Sequence, residues 1–245
     1  MRTLRLRRVT TRPKMYPLVT LVWVSPSRGV ATGGGDWTTF QPSELLNEAV
    51  KAASRKASLS MREPLIRSFL AGGLLAYATS FVFIVLSQNI APIVGGNLFP
   101  VGFVTLVLLG LELAKGNLAL LPAGWSAGKV TIPAMFRSLG WVYLGNLPGS
   151  LFYGALFCLA VTNCGVTSSS TIGELVRSVA QIKTIGYMAL GLRGLETAFT
   201  KGIPCNWVVT LGAVLAMASR STFGKVVTMR LPIMTFLRMT MNTPS

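Results

Sequence analysis

The sequence predicts an all-α integral membrane protein with about five membrane-spanning segments, at least one of them broken. Of its 245 residues, 51% are apolar and only 12% are charged, and the mean hydropathy is +0.57. This number of charges is too small to cover the outside of a water-soluble globule of this size. Most of the surface must therefore face lipid. The arrangement of long apolar runs between short basic clusters supports the same class.

The first 40 residues form a basic leader. Residues 1–35 contain seven lysines and arginines and no acidic side chain. This composition is typical of an organellar transit peptide, and a disordered basic tail is the alternative. In residues 41–63, Leu45, Leu46 and Ala49 recur at spacings of three and four with basic residues between them. This pattern predicts an amphipathic helix on the membrane surface.

Five apolar stretches follow the surface helix, and each is close to the roughly 20 residues that cross a bilayer. The basic residues cluster on the side of the N-terminus, which places that side in the cytoplasm, matrix or stroma. The plasma membrane and a plastid or mitochondrial inner membrane stay open as locations. The stretches cover residues 64–88, 98–121, 136–162, 199–219 and 223–241, and residues 242–245 form a tail.

Glycine and proline interrupt the beginning of the second stretch. Gly95, Gly96 and Pro100 lie in a run that otherwise suits a helix, which predicts a broken, re-entrant backbone. A loop outside the membrane is the alternative. Glu112 and Lys115 follow three residues apart, hence on one helical face. They are predicted either to mark a transport pathway or to form a structural ion pair.

The residue types argue against several functions. The sequence has no histidine and only three cysteines, so it lacks the usual zinc spacings and the Ser-His-Asp and Cys-His catalytic sets. We therefore expect no enzyme, no metal site and no cofactor. The net charge of +16 could suit nucleic acid, but basic loops at a membrane surface explain it, and we expect no nucleic-acid partner.

Four segments together resemble the formate/nitrite transporter family, and the basic leader favours a eukaryotic member. Their order and spacing agree with the family from about residue 41 to residue 236. The resemblance implies an aquaporin-like bundle of six helices, two of them broken, assembled as a homo-pentamer with a pore in each protomer. The segments are GGNLFPVGFVTLVLLGLELAKGN (95–117), VYLGNLPGSLF (142–152), KGIPCNWVV (201–209) and GKVVTMRLPIMTF (224–236).

The resemblance also implies which residues line the pore. A basic residue of the vestibule, which attracts anions, corresponds to Lys183, and the polar centre of the pore corresponds to Asn206. Glu112 and Lys115 are predicted to belong to the polar part of the pore because they are charged residues in an apolar stretch. The implied substrate is a small monovalent anion of a weak acid, nitrite or formate, carried with a proton. An apolar constriction disfavours a bare ion, so the anion is expected to cross as the neutral acid. The residues implied for this constriction are Phe99, Phe103, Val209 and Phe236.

Two departures from the family pattern keep a second hypothesis open. The family carries threonine where this chain has Lys115, and a cation there would hold an anion unless it turns towards Glu112. After Phe236 the family continues with a segment bearing a central histidine and then a sixth span, and this sequence has neither. The alternative is therefore a non-transporting, truncated member or a mispredicted gene product.

Overall fold

The structure, a computed structural model, describes residues 39–167 and 170–241, with side chains up to Thr235. All of these residues belong to one unit, Asp36–Ser245. The transit peptide or tail predicted over residues 1–40 lies outside the described residues except for its last two positions. The predicted tail at 242–245 lies outside them as well.

Helices make up the described chain, apart from turns and one isolated antiparallel bridge between Thr39 and Ser219. The first part contains α1 (Pro42–Ser58), α2 (Arg62–Ser87), α3 (Pro92–Leu98), α4 (Pro100–Leu108), α5 (Ala114–Ser126) and α6 (Ile132–Val161). The second part contains α7 (Thr171–Gln181), a π-helical turn (Ile182–Gly186), α8 (Tyr187–Ala189), α9 (Leu192–Ala218) and α10 (Thr222–Met241).

Three of the described helices, α2, α6 and α9, are long and apolar enough to cross a membrane. A shorter apolar segment, Pro92–Leu108, comprises α3 and α4. The second predicted stretch is thus divided between α4 and α5. The helix α9 begins at Leu192, seven residues before the predicted position 199. The predicted start is late because Arg193 and Glu196 lower the hydropathy of the first two turns, although they do not end the helix.

The helix α2 packs along α6, and glycines of α6 allow the close approach. A Cβ atom added to Gly145 would collide with Ser68 Oγ, and one added to Gly149 would collide with the carbonyl oxygen of Phe69. The two glycines are four residues apart and lie on one face of α6. Small residues at this spacing let helix backbones approach closely inside a membrane, where burial of apolar area gives little driving force.

Two apolar clusters hold the bundle together. The larger cluster joins α2, α4, α9 and α10 and includes the fully buried side chains of Met229 and Ile233. The smaller cluster packs α1 against α5 through Ala53, Leu121 and neighbouring residues. Part of the apolar face of α1 is therefore covered by α5, and the predicted place of this helix on the membrane surface stays a prediction.

Large apolar side chains cover much of the outside of the long helices. Ile66 is 63% exposed, Leu151 is 64% exposed and Trp207 is 73% exposed. So many exposed large apolar side chains are unusual on proteins dissolved in water and indicate contact with lipid or with other subunits. The structure therefore presents an apolar exterior around a partly polar interior.

Candidate functional site

The main break in the second stretch lies at residues 109–113, between α4 and α5. Gly110 has a φ angle of +64°, a left-handed conformation that glycine adopts without a steric penalty. Its N–H donates to the carbonyl oxygen of Val107 at 3.1 Å. The break thus satisfies part of its own backbone hydrogen bonding before α5 begins.

The glycines and the proline expected to mark the break lie earlier in the chain. Gly95 and Gly96 are buried inside α3, and Pro100 is the first residue of α4. Only Phe99 separates the two helices, and it keeps helical angles with φ −52° and ψ −40°. A proline is tolerated at the first helical position, because the N–H that it lacks has no intrahelical partner there.

Asn146 of α6 holds the break in place. Its Oδ1 accepts a hydrogen bond from the N–H of Ala114 at 2.9 Å. Its Nδ2 donates to the carbonyl oxygens of Ser68 at 2.7 Å and Glu112 at 3.0 Å. One side chain therefore satisfies the backbone at the start of α5 and ties it to α2. No role was predicted for Asn146, although a polar residue inside an apolar span is a recognised signal.

Glu112 is buried at the end of the break and is only 3% exposed. Its carboxylate forms an ion pair with Lys56 of α1, with 2.5 Å between Nζ and Oε2. The buried amide of Asn117 donates to the same oxygen at 2.9 Å. A buried carboxylate needs such partners, since desolvation otherwise makes its charge costly. The ion pair thereby fastens α1 to the broken helix, a contact that the sequence analysis did not predict.

Lys115 is the second residue of α5 and lines a cavity of about 910 Å³. The wall comes mainly from α2 and α6, with Leu113 and Lys115 at the break and Val176 from α7. Most of the wall is apolar, and Lys115 is the one charged side chain among the described residues that line it. The first turn of a helix carries a partial positive charge, so the positive potential of Lys115 is reinforced there.

The three described residues implied for the constriction lie in one apolar cluster. Phe99 is 4% exposed, Phe103 is 3% exposed and Val209 of α9 is 2% exposed. Leu113 belongs to this cluster and also lines the cavity. The break therefore connects the cluster with the cavity. Phe236 lies in α10, but its side chain is outside the described residues.

Asn206 lies three residues before Val209 in α9. Its Oδ1 is buried and has no hydrogen-bond partner among the described residues. Leaving a buried amide oxygen without a partner costs about 1–3 kcal/mol. A donor from a bound molecule or from water would offset that cost, which makes Asn206 a candidate for contact with a solute.

Lys183, the residue expected in a vestibule, lies in the π-helical turn after α7 and is exposed. The structure does not bring it into the cavity wall with Lys115. Single π-helical turns inside helices are frequently found at functional positions. Its place in the pathway therefore stays a prediction.

Apolar helices around a broken helix, whose break is held by buried polar side chains, define a multi-pass membrane protein with the means to admit a polar solute. Residues 43–242 match the family model described as "Formate/nitrite transporter", and the chain belongs to this family. It is a transport protein of a membrane and not an enzyme, as the sequence analysis predicted.

Relatives with described activities are distant but cover most of the chain. The sequence is 28% identical to the probable formate transporter of Methanothermobacter thermautotrophicus, over 78% of this chain and 75% of that protein. It is also 28% identical to the nitrite transporter NirC of Salmonella typhimurium, over 73% of this chain and 65% of that protein.

A solved structure of an FNT family ion channel has the same fold, with a TM-score of 0.64 and 24% sequence identity. The match covers 82% of this chain and 78% of the channel. The predicted fold class, an all-helical, aquaporin-like membrane bundle, is therefore confirmed, and so is the resemblance to the family.

Proposed function

We propose that this protein carries a small monovalent anion of a weak acid, nitrite or formate, across the membrane together with a proton. One observation supports the proposal most: a buried apolar cluster containing Phe99, Phe103 and Val209 adjoins a helix break that presents Lys115. A site of this kind attracts an anion and opposes its passage in charged form. The two relatives described above are named as transporters of formate and nitrite, which are anions of this class.

Charge is the barrier in this mechanism. Lys183 raises the local concentration of anions at the surface, and Lys115 with the positive end of α5 attracts one into the cavity. Moving a bare carboxylate or nitrite ion between phenylalanine and valine side chains is strongly unfavourable. Desolvation raises the pKa of a weak acid, so the anion takes up a proton and crosses as the neutral acid. Asn206 would accept a hydrogen bond from this acid.

The proposed assembly is a homo-pentamer in a lipid bilayer, with one route in each protomer. The apolar faces of α6 and α9 support it, because Leu151 and Trp207 need lipid or a neighbouring subunit to cover them. The proposed route runs through the cluster and the break of one chain and needs no residue of a neighbour.

A second candidate is a member that binds an anion but does not transport it. Lys115 favours this function, because the ammonium stands where the family resemblance has threonine. A fixed cation that binds too strongly retains the anion, since passage requires binding that is weak enough to release.

Proteoliposomes that contain the purified protein distinguish the two candidates. We expect nitrite and formate uptake that accelerates when the outside is made acidic, because the proton travels with the anion. Binding without uptake would support the second candidate. Uptake that does not respond to a proton gradient would contradict proton linkage.

Replacement of a constriction residue tests the location of the route. Phe103→Ala should carry lactate much faster than the intact protein does, because the barrier is apolar and steric. Phe223→Ala is the matched control, since this phenylalanine is 78% exposed on α10 and should leave the substrate range unchanged. Exclusion of lactate by both variants would mean that the constriction lies elsewhere.

A further inference from the structure

Ser58 is the last residue of α1 and is exposed. Arg55 and Lys56 precede it at positions −3 and −2, and Leu59 follows it, in the sequence RKASL. Serine/threonine kinases that select basic substrates bind such side chains with acidic residues of their clefts. We propose that Ser58 is a phosphorylation site for a kinase of this class and that its phosphate releases Lys56 from Glu112.

The modification is an ordinary phosphoryl transfer from ATP. A bond forms between Ser58 Oγ and the γ-phosphorus, and the bond from that phosphorus to the β–γ bridging oxygen breaks, so ADP leaves. The hydroxyl proton passes to the base of the kinase. ATP is present on this side of the membrane, because the basic residues place α1 in the cytoplasm, matrix or stroma.

The end of α1 can open to reach a kinase. Leu59 already has an extended backbone, with φ −61° and ψ 141°. The Ser58 hydroxyl donates only to the carbonyl oxygen of Arg55, at 2.8 Å and at an exposed position. Terminal turns of helices open more readily than interior ones, but opening here also breaks the Lys56–Glu112 pair and the hydrogen bond from Arg137 to Ala57, so a minor population of the folded chain presents the extended segment to the kinase.

A phosphate at this position acts against the contacts that hold the turn. Phosphoserine adds a charge of about −1.5 to −2, which is unfavourable at the negative, carbonyl end of a helix. The carbonyl oxygen of Ala57 accepts a hydrogen bond from Arg137 Nη2 at 3.0 Å, and Lys56 pairs with Glu112. Lys56 is two residues from Ser58 in sequence, and Arg137 contacts the neighbouring Ala57. A phosphate on Ser58 therefore competes with Glu112 for Lys56 and with the Ala57 carbonyl oxygen for Arg137.

Release of the Lys56 ammonium from Glu112 alters the structure of the helix break at residues 109–113. Glu112 would keep the hydrogen bond from Asn117 but would lose its cation while 3% exposed. A buried charge without its counter-charge is strongly unfavourable, so residues 109–113 must rearrange or admit water. Phosphorylation is therefore expected to lower transport. This last step rests on the proposed function, whereas the modification and the release of α1 do not.

The modification is tested on the full chain, purified in detergent and incubated with ATP and the catalytic domain of a kinase that selects basic substrates. Mass spectrometry should place the phosphate on Ser58. Ser58→Ala should remove it, and Ser60→Ala, which changes an exposed serine without arginine at −3, should not. Denatured chain is the positive control for recognition. Phosphate on the denatured chain but not on Ser58 of the folded chain would overturn the proposal.

Hydrogen exchange measures the release of α1 independently of transport. Phosphorylated protein should exchange faster than unmodified protein at residues 52–58 and 109–113, and phosphate without faster exchange would refute the coupling. In proteoliposomes the kinase should lower nitrite or formate flux by about tenfold, because Glu112 loses its cation, and Ser58→Ala should retain full flux. If no variant transports, the proposed function fails while the exchange result still decides the inference.

Discussion

Lys56 and Lys115 lie near the same helix break, but their surroundings differ. Lys56 reaches from α1 and neutralises the buried carboxylate of Glu112. Lys115 begins α5 and lines the apolar cavity, where the helix dipole adds to its positive potential. The first lysine therefore stabilises the fold at the break, and we propose that the second attracts the solute.

Lys115→Thr should convert tight binding into faster passage. Removal of the ammonium weakens the attraction for the anion. The KM for nitrite or formate should therefore rise roughly tenfold, which corresponds to the binding free energy of one charge-assisted hydrogen bond. The maximal rate should rise as well, because release becomes easier. Uptake measured against substrate concentration in proteoliposomes gives both quantities. Lys51→Thr is the control, since Lys51 is exposed on α1; a Lys115 variant with the same kinetics as this control would exclude a role in binding.

Lys56→Met should destabilise the protein by about 3–5 kcal/mol, because it leaves the buried Glu112 carboxylate without its cation. Thermal unfolding in detergent measures the effect. Lys51→Met removes the exposed pair with Glu48 and should change stability by less than about 1 kcal/mol. If both variants unfold at the same temperature, the ion pair with Glu112 does not hold α1.

At the scale of the elements, the contact between α2 and α6 is the tightest described packing of two long helices. Gly149→Ala would place a methyl group against the carbonyl oxygen of Phe69, and overpacking of this kind costs about 1–3 kcal/mol. The thermal unfolding temperature should fall accordingly. Gly140→Ala in the same helix meets nothing within 4 Å and should be neutral or slightly stabilising; equal effects of the two substitutions would contradict this packing.

Much of the helical layout could be predicted, because apolar length alone indicates a span. Residues 64–88 were predicted as the first span, and α2 covers Arg62–Ser87. The position of the break could not be predicted in the same way. Glycine serves close packing as well as irregular backbone, and a sequence does not distinguish these uses. Gly102, for example, lies inside α4, where an added Cβ would collide with Ala78.

The family resemblance named the apolar residues that pack together, their role as a constriction stays a prediction, and the polar support of the break was missed. Phe99, Phe103 and Val209 came from the family resemblance, and the structure gathers them in one cluster. Lys56 and Glu112 are separated by 56 residues, and nothing in the spacing of either residue points to the other. Such a pair is visible only when the chain is folded, because α1 must first pack against α5.

For the whole molecule, the proposed route lies within a single chain, so the protomers of the proposed pentamer should act independently. The Phe103→Ala variant is expected to carry lactate faster than the intact protein, so the increase in lactate flux reports on the variant chains. Co-expression of tagged variant and intact protein should produce mixed assemblies. Lactate flux should then increase in proportion to the fraction of variant chains.

A shared central pore would behave differently. If five chains lined one route and each had to carry the substitution, an equal mixture would keep only about 3% of the flux of the pure variant, instead of half. The measurement is lactate uptake by proteoliposomes across a series of mixing ratios, with nitrite uptake as the internal control for total protein. A steep, curved dependence on the variant fraction would show that the pathway lies between subunits and not beside the break of each chain.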